Sequence, residues 1–255
     1  MKRERPEAGA TAPHLAKKRC QQLGSKLLNF ERFYAGRQLK MAETFVLFGS
    51  PHSQFTYKVA LMLRLSGTPF SFSYVSFQKG MHRTPEFRAL SRWGQVPVLK
   101  HGERVLIQSG AILEYLAESL GTFAGTAATR QCIREWLFWD ADQFAPPIYG
   151  CYGVKLGQLK LLSIAVDPAI AEGHRRRAET ALSVLDGNLA GRDFLAADDP
   201  TIADLCCYGE AAFAQLSDFD LGDWPNVKRW AERISHLAGF ASPFDLLAMA
   251  DAEVT

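Results

Sequence analysis

The sequence predicts a mixed α/β domain with the element order β-α-β-α-β-β-α, followed by an all-α helical bundle domain. Two observations lead to this prediction. Short apolar runs alternate with helix signals over residues 42–121, and after Gly121 only helical periods remain. A glycine-flanked linker at 121–125 lies between the two regions. We therefore expect domains at 42–121 and 126–255, lengths that suit ordinary domains.

The first three elements form a β-α-β unit. Residues 44–48 are a short run, mostly apolar, that ends at Gly49-Ser50-Pro51, which indicates a buried strand. Ser53 then precedes a helical pattern of apolar residues that Gly67 closes. Residues 70–77 alternate with a period of two, which predicts a second strand.

The remaining elements of the first domain are a short helix, a hairpin and a longer helix. Thr84 and Pro85 occupy N-cap and first-turn positions, so a short helix follows them. Apolar runs at 96–99 and 105–107 flank a charged turn and predict a hairpin. Ser109 opens a helix that Gly121 stops, which completes the order of a thioredoxin-like sandwich.

The second region is predicted to be helical almost throughout, with a break at Pro146-Pro147. The predicted helices cover residues 129–144, 148–164, 168–190, 201–217 and 225–238. Thr201 and Asp204 have the spacing of a capping box, in which each residue accepts a backbone hydrogen bond from the other. The last fifteen residues are predicted to be a loop with one helical turn.

Charge is distributed unevenly along the 255 residues. The net charge is +2, which favours neither a nucleic acid nor a membrane as partner, yet residues 1–40 alone carry +7. Residues 1–41 are therefore predicted to be a disordered basic leader. A mis-set start of translation and a mitochondrial transit peptide are the alternative interpretations.

Cysteine usage indicates a reducing compartment. The chain has five cysteines, an odd number, and no C-x-x-C pair or histidine spacing typical of zinc. It has neither an apolar run long enough to span a membrane nor the apolar region of a secretory signal. A cytoplasmic location is the expectation.

Two features one hairpin apart suit a small peptide ligand. Val96-Pro97 opens a strand, where a proline cannot donate to the sheet, so a special turn with a cis or trans bond is expected there. Ser109 begins a helix, and its hydroxyl and the free backbone N–H groups suit a carboxylate.

Three motifs, in this order and spacing, resemble those of the glutathione transferase family, in particular a serine-type, bacterial-like member. The first runs from Thr84-Pro85-Glu86-Phe87 to Gly94-Gln95-Val96-Pro97-Val98-Leu99. The second is Gln108-Ser109-Gly110-Ala111-Ile112, and the third is Phe194-Leu195 with Pro200-Thr201-Ile202-Ala203-Asp204-Leu205. The resemblance covers about residues 43–240 and implies a glutathione-binding first domain.

The resemblance also implies residue roles in glutathione binding. Ser109 would bind the γ-glutamyl carboxylate, and Gln108 would face the γ-glutamyl amine, where many members have Glu. Val96 would offer backbone hydrogen bonds to the cysteinyl unit and would be positioned by a cis Pro97.

The glycyl carboxylate is assigned to a second group of residues. Gln95, together with His82 and Arg83, would reach it. For His82 and Arg83, a solvated loop is an equally good interpretation.

Activation of the glutathione thiol is assigned to the start of the first helix. A hydroxyl that donates to the thiolate, helped by the helix N-terminus, lowers the thiol pKa. Ser53 is the preferred residue, and Ser50, Thr56 and Tyr57 are the competitors. A plain N-cap is the other interpretation of Ser53. Residues 42–121 contain no cysteine, which argues against the cysteine-type members that exchange disulfides.

The second substrate is expected to be apolar and electrophilic. Aromatic side chains crowd the start of the helical region, and most of them should be core. The candidate pocket residues lie near the proline pair: Phe144, Tyr149 and Tyr152.

The predicted function is therefore a cytosolic glutathione transferase that adds the glutathione thiolate to a small apolar electrophile. Glutathione is the co-substrate, no prosthetic group or metal is expected, and a homodimer is expected. Two alternatives stay open: a glutathione-dependent isomerase and a non-catalytic binding or regulatory module. Trp93 and Gln108, which depart from the common family pattern, leave room for the second.

Overall fold

The computed structural model describes residues 45–159, 161 and 167–255, within a compact unit that spans Thr44–Thr255. The predicted leader at 1–41 and Cys20 lie outside the described residues. In the described part of the chain, no helix is both long and apolar enough to cross a membrane.

Five strands and nine α-helices make up the described unit. The strands are β1 (Phe45–Gly49), β2 (Phe70–Tyr74), β3 (Val98–His101), β4 (Arg104–Ile107) and β5 (Ala252–Val254). The helices of the first region are α1 (Gln54–Leu65), α2 (Pro85–Leu90) and α3 (Ser109–Leu120). Those of the second region are α4 (Arg130–Trp139), α5 (Ala145–Gln158), α6 (Pro168–Asn188), α7 (Ile202–Gln215), α8 (Pro225–Ser235) and α9 (Pro243–Leu246). Short 3₁₀ turns lie at Met81–Arg83 and Leu221–Asp223, and a π turn at Asp140–Phe144 joins α4 to α5.

The strands form one mixed sheet in the order β4-β3-β1-β2-β5. β1 and β2 run parallel, with Leu47 opposite Phe72, and β3 runs antiparallel to β1, with Leu47 opposite Leu99. β4 returns antiparallel to β3 through the predicted hairpin, in which Val98 pairs with Ile107. This topology confirms the predicted thioredoxin-like order.

The two faces of the sheet bury different residues because side chains alternate along each strand. Leu47, Phe72 and Leu99 belong to the large core that also contains the buried faces of α1 and α3. Phe48 and Val98 point to the other face, where Phe87 of α2 covers them. The sheet is therefore a layer between helices.

The helical region packs against the first layer, and one buried hydrophobic cluster contains residues of both. α1 contacts α7 along its length, and α3 also contacts α7. α7 is buried over nearly its whole length, with Tyr208 packed against Tyr57 of α1 and Trp230 of α8. The predicted helical domain is thus confirmed, with α7 at its centre.

The C-terminal segment differs from the prediction. The expected helical turn is α9, but the chain then pairs Ala252 with Phe72, so that β5 covers the edge of β2. The Asp251 carboxylate accepts a hydrogen bond from Tyr74 N at 2.9 Å and anchors the strand. A three-residue strand with a distant partner has too little local pattern to be recognised in a sequence.

The proline pair does not break the chain where a break was expected. Pro146 and Pro147 lie in the first turn of α5, which continues directly from the π turn through helical backbone at Phe144 and Ala145. The irregularity falls instead in the π turn just before them. The prediction of a break at Pro146-Pro147 was therefore wrong in position and in kind.

Candidate functional site

The sheet register brings the predicted site residues to one end of the first layer. Phe48, near the end of β1, pairs with Val98, near the start of β3, so the turn after β1 lies beside Val96-Pro97. Val98 in turn pairs with Ile107, the last residue of β4, which places Gln108 beside the same turn. Three segments that are distant in sequence thus meet at one corner.

Ser53 is the N-cap of α1. Its backbone is extended, its Oγ accepts a hydrogen bond from Thr56 N at 3.2 Å, and its surface is only 6% exposed. Gly49 makes room for this turn, because a Cβ there would lie 2.2 Å from Thr56 Cγ2. The described residues offer no acceptor for the hydroxyl hydrogen of Ser53. The N-cap interpretation is therefore correct, and it leaves the hydroxyl able to donate.

The competing residues of this turn have other partners. Ser50 Oγ accepts from His52 N at 3.2 Å, and Ser50 N donates to Thr56 Oγ1 at 3.4 Å. Tyr57 is fully buried and donates its hydroxyl to Ala241 O at 2.9 Å, and burial raises its pKa strongly. Tyr57 is thus directed towards the C-terminal segment, whereas Ser50 and Ser53 stay in the turn.

The second segment of the corner is the turn before β3. The Val96-Pro97 peptide bond is cis, as expected. Ser91 fixes Gln95 from below: Ser91 Oγ accepts from Gln95 N at 3.1 Å and donates to Gln95 O at 2.9 Å. The backbone N–H and C=O of Val96 have no partner among the described residues. An extended peptide could pair with them.

The third segment is the start of α3. Ser109 is its first helical residue, and Gln108, at the N-cap, has a φ of 72°. A positive φ in a residue other than glycine costs about 1–3 kcal/mol and is typical of functional sites. Gln108 Nε2 donates to Gln95 Oε1 at 3.3 Å, so these two predicted residues are in contact.

Both helix N-termini at this corner keep their positive character. Neither α1 nor α3 has an acidic residue in its first turn. The unpaired N–H groups and the helix dipole therefore favour an anion at each end. A thiolate near α1 and a carboxylate near α3 would meet this requirement.

His82 and Arg83 lie in the 3₁₀ turn Met81–Arg83, next to the turn that carries Gln95. The carbonyl of His82 packs against Gly94, where a Cβ would be 2.9 Å away, so the turn lies close to Gln95. The imidazole itself faces Phe77 and accepts from Arg83 Nε at 3.1 Å, and burial and then Arg83 lower the pKa of His82. Arg83 is exposed and supplies the charge at this rim.

The predicted pocket aromatics divide into three environments. Tyr152 is buried, and its hydroxyl lies 2.9 Å from His52 Nδ1, so it reaches the turn that carries Ser53. Tyr149 is 61% exposed, with its ring centroid 6.3 Å from that of Phe55. Phe144 has no exposed surface and packs against Trp139. Phe144 is a core residue, and its assignment to an open pocket is corrected accordingly.

Three aromatic neighbours of this turn were not recognised in the sequence. His52 lies between Tyr152 and Phe244, whose ring stands edge-on at 5.3 Å, and burial lowers the pKa of His52. Phe55 contacts Tyr149. His52 could have been recognised as a site residue because it precedes Ser53 in the sequence. Phe244 belongs to α9, and only the folded structure brings it close to His52.

Comparisons with known proteins identify a family and several relatives. The sequence model for the glutathione S-transferase N-terminal domain matches residues 47–122, and that for the C-terminal domain matches residues 159–238. Glutathione S-transferase 3 of Zea mays is 32% identical over 205 residues, covering 76% of this chain and 90% of the relative. Glutathione S-transferase theta-2 of Homo sapiens is 29% identical, covering 73% and 79%.

Two further relatives widen the comparison. Disulfide-bond oxidoreductase YfcG of Escherichia coli is 30% identical over 189 residues, covering 70% of this chain and 84% of the relative. The crystal structure of a possible glutathione S-transferase from Rhodopseudomonas palustris has a TM-score of 0.71 at 32% identity, covering 78% of this chain and 90% of that chain.

Proposed function

The chain belongs to the glutathione S-transferase family and is a glutathione transferase enzyme, and from this premise we propose that it adds the glutathione thiolate to a small apolar electrophile. One observation supports the proposal: the register of β1, β3 and β4 brings the turn after β1, the turn before β3 and the start of α3 to the same corner of the sheet. The three segments offer a hydroxyl donor, unpaired backbone groups and a helix N-terminus.

Glutathione is the proposed co-substrate, and each of its parts has a partner at the corner. Ser109 and the N-terminus of α3 bind the γ-glutamyl carboxylate, and Gln108 faces the amine. The backbone of Val96, set by the cis Pro97, pairs with the cysteinyl unit. Gln95, with His82 and Arg83, binds the glycyl carboxylate. These roles follow the family motifs and are supported by the contacts between the segments.

Ser53 is the proposed activator of the thiol, which makes this a serine-type enzyme. Its Oγ already accepts from Thr56 N, so the hydroxyl hydrogen is directed away from the helix and can donate to sulfur. A hydrogen bond to a charged group contributes about 1.5–3 kcal/mol, which lowers the thiol pKa by one to two units. Ser50 is the alternative activator, because it lies in the same turn.

The electrophile is proposed to lie along the aromatic side chains beside this turn. Tyr149 and Phe55 offer exposed or half-exposed ring surface, and Phe244 is 46% exposed next to His52. Flat apolar surface at this place favours a planar, aromatic electrophile. Tyr152 supports this surface by holding the His52 ring through their hydrogen bond.

A homodimer is part of the proposal. β5 covers one edge of the sheet, and β4 is the open edge in the described part of the chain, with Val105 41% exposed. Phe138 of α4 is 76% exposed, and α4 is tied to α3 by a 2.8 Å ion pair between Arg134 and Glu114. Large exposed apolar side chains of this kind are typical of interfaces.

The experiment combines glutathione titration calorimetry with conjugation of a chromogenic aryl halide by the full chain. We expect saturable glutathione binding and a glutathione-dependent rate that the free thiol does not reach. Binding without turnover of any electrophile would favour the non-catalytic module. Isomerisation of a cis double bond, or reduction of a small disulfide, without conjugation would favour the isomerase or a function like that named for the YfcG relative. Absence of glutathione binding would contradict the proposal.

A further inference from the structure

A buried ionic cluster lies where α1 packs against α7 and the π turn of the helical region. Lys58 of α1 has a fully buried ammonium group. Its Nζ lies 2.8 Å from Asp140 Oδ2, 2.7 Å from Glu210 Oε1 and 3.4 Å from Cys206 Sγ. Asp140 comes from the π turn and Glu210 and Cys206 from α7, so the cluster joins three elements. No role in the proposed chemistry has been assigned to it.

Hydrogen bonding distinguishes the two carboxyl groups. Asp140 Oδ2 accepts from Lys58 and also from the thiol of Cys206 at 3.2 Å, and two donors favour an ionised carboxylate. Glu210 Oε1 lies 2.7 Å from the ammonium, but neither Glu210 oxygen has a well-formed hydrogen bond, whereas Asp140 lacks a donor only at Oδ1 within the described structure. Asp140 is therefore the ionised partner of Lys58.

The charges of the cluster do not balance if both carboxyl groups are ionised. One ammonium would then face two carboxylates, and the side chains of Lys58, Asp140 and Glu210 are at most 3% exposed. An uncompensated charge in such a place is costly, so a proton is retained instead. Because Asp140 has the donors, Glu210 is the group that retains it.

Gln54 connects Glu210 to the site. It is the first residue of α1, next to Ser53, and its Nε2 donates to Ala145 O of α5 at 3.1 Å. Gln54 Oε1 is buried and has no donor in the described structure, and the Gln54 side chain is a neighbour of the Glu210 carboxyl. Glu210 and Gln54 thus present acceptors that lack a hydrogen, and a carboxylic acid O–H supplies it.

We propose that Glu210 is a positioning residue that holds a proton at neutral pH and, as a carboxylic acid, fixes the first turn of α1 through Gln54. The effect reaches Ser53 because Gln54 follows it directly and Lys58 lies about 6 Å beyond Gln54 along the helix axis. The positioning part of this inference rests on the proposed function, whereas the retained proton does not.

The backbone is shaped to allow this arrangement. Gly209, the neighbour of Glu210, lets α7 approach α1, because a Cβ there would be 3.1 Å from two carbons of Lys58 and 3.3 Å from Gln54 O. The π turn begins at Asp140 and brings its carboxylate to Lys58. Such turns are frequent at functional sites.

Removal of the proton should weaken both the fold and the site as pH rises. Burial raises the pKa of both carboxyl groups, that of Glu210 to about 8, against the opposing effect of Lys58. The facing charged or titratable groups are thus Lys58 on α1, Asp140 on the π turn and Cys206 on α7 itself. Because the pKa of Glu210 is higher in the folded than in the unfolded chain, its protonation contributes to stability. That contribution is complete below about pH 4.5 and is lost as the pH rises through about 8.

The test compares the wild type with Glu210→Gln, which keeps the shape and the neutral charge of the protonated acid. Glu118→Gln, on the exposed face of α3, is the matched control for the loss of a carboxylate. Three readouts apply to the full chain: the infrared band of a protonated carboxyl, the melting temperature from pH 5 to 9, and kcat/KM for glutathione over the same range.

For the wild type we expect an infrared band that titrates near pH 8, and kcat/KM that falls up to tenfold per pH unit above that value. In Glu210→Gln, both the band and this alkaline decline should be absent, and the melting temperature should depend less on pH. A wild type without the band, or a band that survives in Glu210→Gln, would overturn the retained proton. An unchanged alkaline decline in Glu210→Gln would overturn the positioning role. If the wild type does not bind glutathione, the proposed function fails with the positioning role, and the infrared band alone decides the proton.

Discussion

Asp204 should be far more important for stability than a helix cap. Its carboxylate is fully buried and accepts four hydrogen bonds: from Thr201 N at 2.8 Å, Thr201 Oγ1 at 3.2 Å, Leu195 N at 2.9 Å and Trp230 Nε1 at 2.9 Å. The predicted capping box is confirmed, but the same side chain also ties the loop before α7 and the indole of α8 to the start of α7.

The magnitude follows from the donors that Asp204→Ala would leave behind. Three N–H groups of almost fully buried residues lose their acceptor, and each unsatisfied donor costs about 1–3 kcal/mol. Water and relaxation recover part of this, so we expect a loss of about 3–5 kcal/mol in the free energy of unfolding. Thr201→Ala removes one cap acceptor, that of Ala203 N at 3.2 Å, and should cost about 1–2 kcal/mol.

The assay is urea denaturation followed by tryptophan fluorescence, with glutathione affinity measured on the folded variants. Asp220→Ala is the matched control, because Asp220 caps an exposed 3₁₀ turn through a single bond to Gly222 N. Glutathione affinity should not change in any of the three. A loss for Asp204→Ala no larger than that for Asp220→Ala would refute the reasoning.

Two further predictions concern the proposed substrates. Ser109→Ala should raise the KM for glutathione about tenfold to a hundredfold and lower kcat much less, because the γ-glutamyl carboxylate is bound equally in the ground and transition states. Initial-rate kinetics would measure both constants, and an unchanged KM would contradict the role of Ser109 in binding. Phe144→Ala should cost about 3–5 kcal/mol of stability, whereas Tyr149→Ala should change stability by less than about 0.5 kcal/mol and raise the KM for an aryl electrophile. Denaturation curves and initial rates of both variants would check this. The reverse pattern would contradict the assignment of Phe144 to the core.

The parts of the fold with strong local signals could be predicted from the sequence. The helix over 109–120 begins and ends where serine and glycine signals indicated, and the hairpin between β3 and β4 is present. The capping box of Thr201 and Asp204 also follows from residue types with a fixed geometric preference, and the cis Val96-Pro97 bond is one of the two forms that an X-Pro pair allows.

The parts that depend on distant partners could not be predicted. β5 exists because β2 offers an open edge, and nothing in its three residues indicates this. Lys58 occupies a helical position that would normally be solvated, and only the approach of Asp140 and Glu210 permits its burial. The environments of the site aromatics also depend on distant partners. Tyr152 contacts His52, which lies 100 residues away in the sequence, whereas Phe144, two residues before the proline pair, is buried in the core.

The most direct test of the central claim is the thiolate absorbance of the enzyme–glutathione complex as a function of pH. The wild type should show a bound thiol with a pKa well below that of free glutathione. Ser53→Ala should raise that pKa by about one to two units, while Ser50→Ala should leave it unchanged. A shift with Ser50→Ala alone would move the role to Ser50, and a bound thiol in the wild type that titrates like free glutathione would contradict thiol activation at this corner.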